Sequence, residues 1–287
     1  MTIASTVVLA KPFAPGVLPQ VLDTSIELAG LMANPTIASI VGDPSALPTT
    51  PATYLRLTEL LADDEVTILD LCGVIEEDAA LSARVLQVAN SPFFGAGRQL
   101  ESLERAVAML GSRLIRSLAM VHGVFQSIDG VALPLDFDAH GEQVHATAVA
   151  ALSRKLAGPA RGDGAFSAGL LHDLGRLLLA VRAPEQFDRV IDHARAHRVP
   201  MLEAERDVLG TDHAELGGYL LAAWGLPWQV ISAVRHHHCP VGEPDRRGFA
   251  IYVHLANSLV REAMPASALF PPALDEETFA AVGHGGD

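Results

Sequence analysis

The stretch "SAGLLHDLGRLLLA" runs from Ser167 to Ala180 and decides how the chain is read. It is an apolar, helix-forming segment interrupted by adjacent His172 and Asp173, then by Gly175. A buried imidazole and carboxylate need partners, because desolvating polar or charged groups alone is costly. A divalent ion is one such partner, since imidazole and carboxylate are donors for Mn, Fe and Zn. Neighbouring residues on an α-helix point about 100° apart. A His-Asp pair therefore serves one ion only near a helix end, or bridges two ions. Gly175 is the expected helix end.

Further histidines lie on either side. His145 opens an alanine-rich helix, His213 lies in "GTDHAELGGYLL", and His236, His237 and His238 form "RHHHCP". Facing helices of a bundle can each donate one or two ligands to a common centre. Taken singly, a histidine in an apolar helix is more often a hydrogen-bonded core residue than a ligand, and the triple histidine alone reads as a solvated helix end. His193 and His197 stand at i, i+4 but sit among Asp192, Arg195 and Arg198, and are read as surface. His122, His140, His254 and His284 carry no usable pattern.

The 287 residues are 49% hydrophobic, enough for a large core, and carry a formal net charge of −14. That charge disfavours a phosphate-tracking surface, so nucleic acid is not an expected partner. The two cysteines, Cys72 and Cys239, are too few for a disulfide framework and fit a reducing compartment. No segment reads as a membrane span. "TIASTVVLA" is too short, and lacks the basic lead, for a signal peptide. A cytoplasmic location is expected.

The predicted architecture is all-α, in two helical lobes. Residues 46–127 form the first lobe, with apolar faces at Leu81, Val85, Val88 and Ala89 and a helix capped by Ser102. Residues 138–262 form the second, which holds the histidines. Residues 33–52, rich in Pro, Ser, Thr and Ala, read as a linker, and 266–287 as a tail. Residues 1–30 stand apart: "TVVLAKPF" reads as a strand and "GVLPQVLDTSIELAGLM" as a helix. With Lys11-Pro12 between them, they resemble the end of a response-regulator receiver domain. On that resemblance 1–45 is a receiver remnant with its linker and the chain is a fragment of a longer two-component protein; the alternative reading is a flexible N-terminal extension with a chance Lys-Pro.

The order H…HD…H…HH on a helical chain resembles the HD phosphohydrolase superfamily. Residues 47–260 resemble more closely the HDOD family, the metal-dependent hydrolase-related output domains of bacterial signalling. The landmarks are Leu47-Pro48, "IEEDAALSARVLQVANSPFF", "SLERAVAMLG", "AGLLHDLG", "LGTDHAELGGYLLAAWGLP", "HHHCP" and "HLANSLV". The resemblance implies that the second lobe is an HD-type bundle. It makes His145, His172, Asp173, His213, His237 and His238 candidate ligands for Fe, Mn or Zn. In an active member Asp173 would be the catalytic residue.

Three departures weigh against catalysis. The superfamily's late aspartate ligand is Asn257 here, the usual lysine after the HD pair is Arg176, and no Gly-Tyr-Pro follows the paired histidines. The preferred reading is a non-catalytic signalling output module. Its inputs are a receiver domain or sensor-kinase pathway, its output an unidentified protein partner, with a second copy of the chain a candidate for assembly. The alternative is a metal-dependent phosphohydrolase acting on a nucleotide or cyclic dinucleotide. Trp224 and Trp228 are read as helix-end packing, and Asn90 and Ser91 as a cap or turn.

Overall fold

The computed structural model describes residues 25–26, 29–41, 50–63, 65–94, 100–240 and 248–263. Among these residues there are thirteen helices and no strand. The expected all-α class is what the chain forms. The Lys11-Pro12 segment, Leu47-Pro48, most of the stretch after the paired histidines, and the tail lie outside the described residues.

In chain order the helices are α1 (Pro35–Val41), α2 (Ala52–Leu60), α3 (Ile68–Glu76), α4 (Ala79–Ala89), α5 (Leu103–Leu110) and α6 (Ser112–Gln126). They are followed by α7 (Ala139–Leu171), α8 (Leu174–Arg182), α9 (Pro184–His197), α10 (Met201–Leu209), α11 (His213–Ala223), α12 (Trp228–His236) and α13 (Ala250–Ala263). Helices α2–α6 pack on one another as the first lobe, and α7–α13 as the second. Helix α7 packs against α6 and joins the lobes, and one core cluster runs through both.

Local signals place the first-lobe helices. Thr67 and Asp70 form a reciprocal capping box at the start of α3. Asp78 caps α4, and Ser102 caps α5 by accepting from the Arg105 amide. Gly111 separates α5 from α6 at φ 79°, where a side chain would be strained. Asn90 has the turn role expected of it: its amide nitrogen donates to the carbonyls of Leu86 and Leu100, and its Oδ1 accepts from the Leu100 amide.

One expectation is corrected. Residues 33–52 read as a linker, yet 35–41 form α1, packed against α8 and α11 of the second lobe. Ile37 and Val41 are fully buried. The proline-rich composition hid a short helix, because Pro35 takes the first helical position, where its missing N–H costs nothing. Asn34 supplies the cap, its Oδ1 accepting from the amides of Thr36 and Ile37.

Helix α7 is the organising element. It folds back at Gly158, whose φ of 69° and ψ of −178° are non-helical, followed by Pro159. The two halves lie side by side: a Cβ on Gly169 would come within 2.9 Å of the Ala150 Cα. His145 and His172, which a straight helix would hold roughly 40 Å apart at 1.5 Å per residue, have ring centroids 5.4 Å apart. The stretch Ala139–Arg182 is long and apolar enough to cross a membrane by length and composition, but its apolar window is 83% buried within the fold.

Candidate metal centre

All six candidate ligands converge. Asp173 is at the middle, with the histidines around it. His172 Nε2 stands 3.2 Å and His145 Nε2 3.9 Å from Asp173 Oδ2. His213 Nε2 stands 3.3 Å and His237 Nε2 3.6 Å from Asp173 Oδ1. His238 Nε2 lies 2.8 Å from His213 Nε2. His172 and His237 are fully buried, and His213, His145 and Asp173 are nearly so.

The helix end that lets adjacent His172 and Asp173 converge is not at Gly175. Helix α7 stops at Leu171, His172 caps it, and Asp173 precedes α8. Gly175 lies inside α8 and has a different task. A Cβ there would collide with the His213 carbonyl and come within 2.6 Å of the Gly217 amide nitrogen. Its lack of a side chain lets α8 touch the start of α11 and brings His213 to Asp173.

The ring orientations are set by backbone and carboxylate partners. Nδ1–H of His172 donates to the Gly169 carbonyl at 2.8 Å, and Nδ1–H of His237 to the Val234 carbonyl at 2.7 Å. Each ring therefore turns an Nε2 lone pair inward. Nδ1 of His213 bonds to Glu205 Oε2 at 2.6 Å, and the His213 backbone amide donates to the same oxygen. His254 supports the centre from behind, its Nδ1 donating to the His237 carbonyl at 2.8 Å.

The other half of the centre is closed by polar groups. His145 Nε2 bonds to Asn257 Oδ1 at 2.9 Å. Arg261 Nε donates to that Asn257 oxygen at 2.8 Å, and Arg261 Nη2 to Asp173 Oδ2 at 3.1 Å. Arg176 approaches Asp173 Oδ2 at 3.7 Å and pairs with Glu142 at 2.9 Å.

Burial and charge pull these groups apart in acidity. Burial, aided by the charge of His172, lowers His145 to about 3. Burial lowers His237 to about 4, against the opposing pull of the Asp173 carboxylate. Burial and the neighbouring His237 hold His238 well below the ordinary imidazole range. His213 moves the other way: burial opposes its charge, but Glu205 and Asp173 outweigh it and raise it to about 10. Burial also opposes the Asp173 carboxylate, yet the surrounding imidazoles, His172 first and then His213 and His237, hold it well below its usual value.

The residues fit a divalent ion. Asp173 Oδ1, His172 Nε2 and His237 Nε2 are buried acceptors without a hydrogen-bond partner. Two donors each about 2.1 Å from a common ion stand about 3–3.4 Å apart, close to the spacing seen around Asp173 Oδ1. Three imidazoles with one carboxylate suit Mn, Fe or Zn. Glu205 behind His213 is the type of partner that orients a ligating imidazole. An ion held there would supply Lewis acidity and a more acidic bound water.

Several other described histidines stay out. His193 and His197 stack on each other on an exposed face, His193 pairing with Asp207. His122 pairs with Asp78, and His236 bonds to the Ser232 carbonyl. Trp224 and Trp228 pack against the core. Sequence reading missed Arg261, Glu142 and Glu205. The first two carried a signal: Arg261 is i+4 from Asn257, and Glu142 is i−3 from His145, so each shares a helix face with a candidate. Glu205 carried none, being on a separate helix.

Fold and site together define an all-α, two-lobed domain with an HD-type histidine–aspartate centre. The chain belongs to the HDOD domain family, which matches residues 47–240. An uncharacterised protein of Treponema pallidum is 27% identical over 254 residues, covering 85% of this chain. The chain spans 47% of that relative's length. An HDOD domain protein of unknown function from Geobacter sulfurreducens superposes with a TM-score of 0.67 at 21% identity, over 94% of this chain and 86% of that one. A protein of Shewanella amazonensis, named as a candidate phosphohydrolase, superposes at 0.65 and 22% identity, over 88% and 87%. At these identities the two structures share the fold.

Proposed function

We propose that the chain is a non-catalytic output module of bacterial signalling, built around a centre that retains a divalent transition metal. The observation that carries this reading is the burial of the centre. Asp173, His172, His213 and His237 are each 7% exposed or less. A phosphoester would need access to an ion held there, and these side chains form core. Asn257 and the guanidinium of Arg261 take up the side where a further carboxylate ligand would stand.

The same core offers a route for a signal. Helix α7 carries His145 and, two residues on, Thr147, which bonds to Arg84 of the first lobe. Arg84 also donates to the Gln143 carbonyl at 3.1 Å, and Ser117 of α6 meets Ser167 of α7 at 2.7 Å. A change at the centre is felt along α7 at the junction of the lobes, where a protein partner would read it. The input, on this reading, is a receiver domain or sensor-kinase pathway. A second copy of the chain is a further candidate partner.

The second reading, a metal-dependent phosphohydrolase, is favoured by one observation: the ligand set around Asp173 Oδ1 is complete enough to hold an ion. The test is hydrolysis of cyclic di-GMP and of a generic phosphodiester with added Mn or Fe. The module reading expects no turnover above buffer. Robust turnover that disappears in a His172→Ala/Asp173→Ala variant would overturn it.

A further inference from the structure

The centre has two halves, and they are not equivalent. Four groups could hold an ion on the Oδ2 side of Asp173: His145, His172, Asp173 Oδ2 and the side chain at 257. Three of the four are already engaged. His145 Nε2 is spent on Asn257 Oδ1, Asn257 Oδ1 also accepts from Arg261, and Asp173 Oδ2 accepts from Arg261 Nη2 at 3.1 Å. Only His172 Nε2 is left there without a partner. The Oδ1 side is freer. Asp173 Oδ1 and His237 Nε2 have no hydrogen-bond partner, and His213 and His238 bond only to each other through Nε2, at 2.8 Å.

Charge makes the same distinction. On the Oδ2 side a guanidinium stands where a second dication would stand, and an amide stands where its carboxylate ligand would. Arg261 is 11% exposed and always protonated, so its charge is permanent there. Arg176, 3.7 Å from the same oxygen, adds a second fixed positive charge. A dication beside two guanidiniums, without a second carboxylate, is repelled. Asp173 Oδ1, by contrast, accepts a hydrogen bond from neither arginine.

We infer that the centre takes a single divalent ion, held by Asp173 Oδ1, His213, His237 and His238, and that Arg261 together with Asn257 occupies the place of a second. This rests on the metal reading above and adds to it a stoichiometry and a cause. Asn257 and Arg261 form one device: they share a helix face at i, i+4, and Arg261 Nε donates to Asn257 Oδ1 while its Nη2 donates to Asp173 Oδ2.

The test is calorimetric titration of the full chain with Mn(II), after chelation and with helical content checked by circular dichroism. The native protein is expected to bind one ion per chain. Arg261→Met/Asn257→Asp is expected to bind two, and Arg261→Lys/Asn257→Asp, which retains the positive charge, one. Two ions in the native protein, or one in the folded Arg261→Met/Asn257→Asp variant, overturns the inference while leaving the metal reading standing. No uptake by any of the three proteins overturns the metal reading itself, and the inference with it. If the double variant does not fold, Arg261→Met alone decides: a second ion supports the inference, and a single ion overturns it.

Discussion

His172 Nε2 faces Asp173 Oδ2 at 3.2 Å while Nδ1 of the same ring donates to the Gly169 carbonyl. With Nδ1 carrying the hydrogen, a neutral ring points a lone pair at a carboxylate oxygen, an arrangement that demands a positive charge nearby. A proton, an arginine or a metal ion can supply it, and Arg261 does so at Asp173 Oδ2. Asp173 is the negative charge they share.

Asp173→Asn keeps the shape and removes that charge. Arg261 and Arg176 then lie within the core with their common partner gone. Breaking a buried ion pair on one side costs about 3–5 kcal/mol. The expected outcome is loss of metal and a fall in urea stability of that order. A variant as stable as the native protein would mean that the guanidiniums find solvent.

Glu205→Gln leaves the ligands untouched and alters only the group behind His213. Its carboxylate holds both the ring and the backbone amide of His213. Removal of such a supporting carboxylate weakens metal binding by about 10–100-fold. The check is the Mn(II) dissociation constant of the variant against the native protein. An unchanged constant would place His213 outside the ligand set.

Gly175→Ala tests the contact between α8 and α11. The added methyl meets backbone atoms of His213 and Gly217, not the flexible end of a side chain. Overpacking costs about 1–3 kcal/mol where neighbours can shift. Here two helices must separate, so the loss is expected at the upper end or beyond, with metal binding lost as His213 withdraws. Thermal unfolding and metal content read the two effects separately.

The metal-free protein should be most stable near neutral pH. Below about 6.5 the unfolded chain protonates His145 and His237, while the folded protein holds them neutral down to about 3 and about 4. Stability therefore falls as pH drops through that window. His213 has the opposite sign: folded, it keeps its proton up to about 10, so its contribution is complete below about 6.5 and is lost as pH rises toward 10. Each group contributes a slope of up to about 1.4 kcal/mol per pH unit. Urea midpoints at pH 5, 7 and 9 check this, and a monotonic trend would contradict it.

Much of this was legible in the chain. The helical period predicted an all-α fold, and six residues scattered over 94 positions, from His145 to His238, were placed in one centre and meet there. Asn257 was singled out as the missing carboxylate and does face His145. What stayed hidden depended on three-dimensional approach. A glycine that ends a helix and a glycine that admits a neighbouring helix look alike in sequence, and Gly175 is the second kind. Helix α1 hid because its composition matches that of a linker, while its burial against α8 and α11 is a tertiary effect. Glu205 hid because a buried acid on a polar-looking helix shows no periodic signature. Arg261 was within reach, one turn beyond Asn257, but its meaning depends on seeing Asp173 at its other end.

The most direct test of the account is the metal content of the native chain, purified without a metal-affinity tag and measured by elemental analysis. The account predicts close to one equivalent of Mn, Fe or Zn per chain, removable by chelation and restored by added Mn or Fe. Protein that carries no metal and takes up none on addition would contradict it, leaving the histidines around Asp173 as a proton-sharing core.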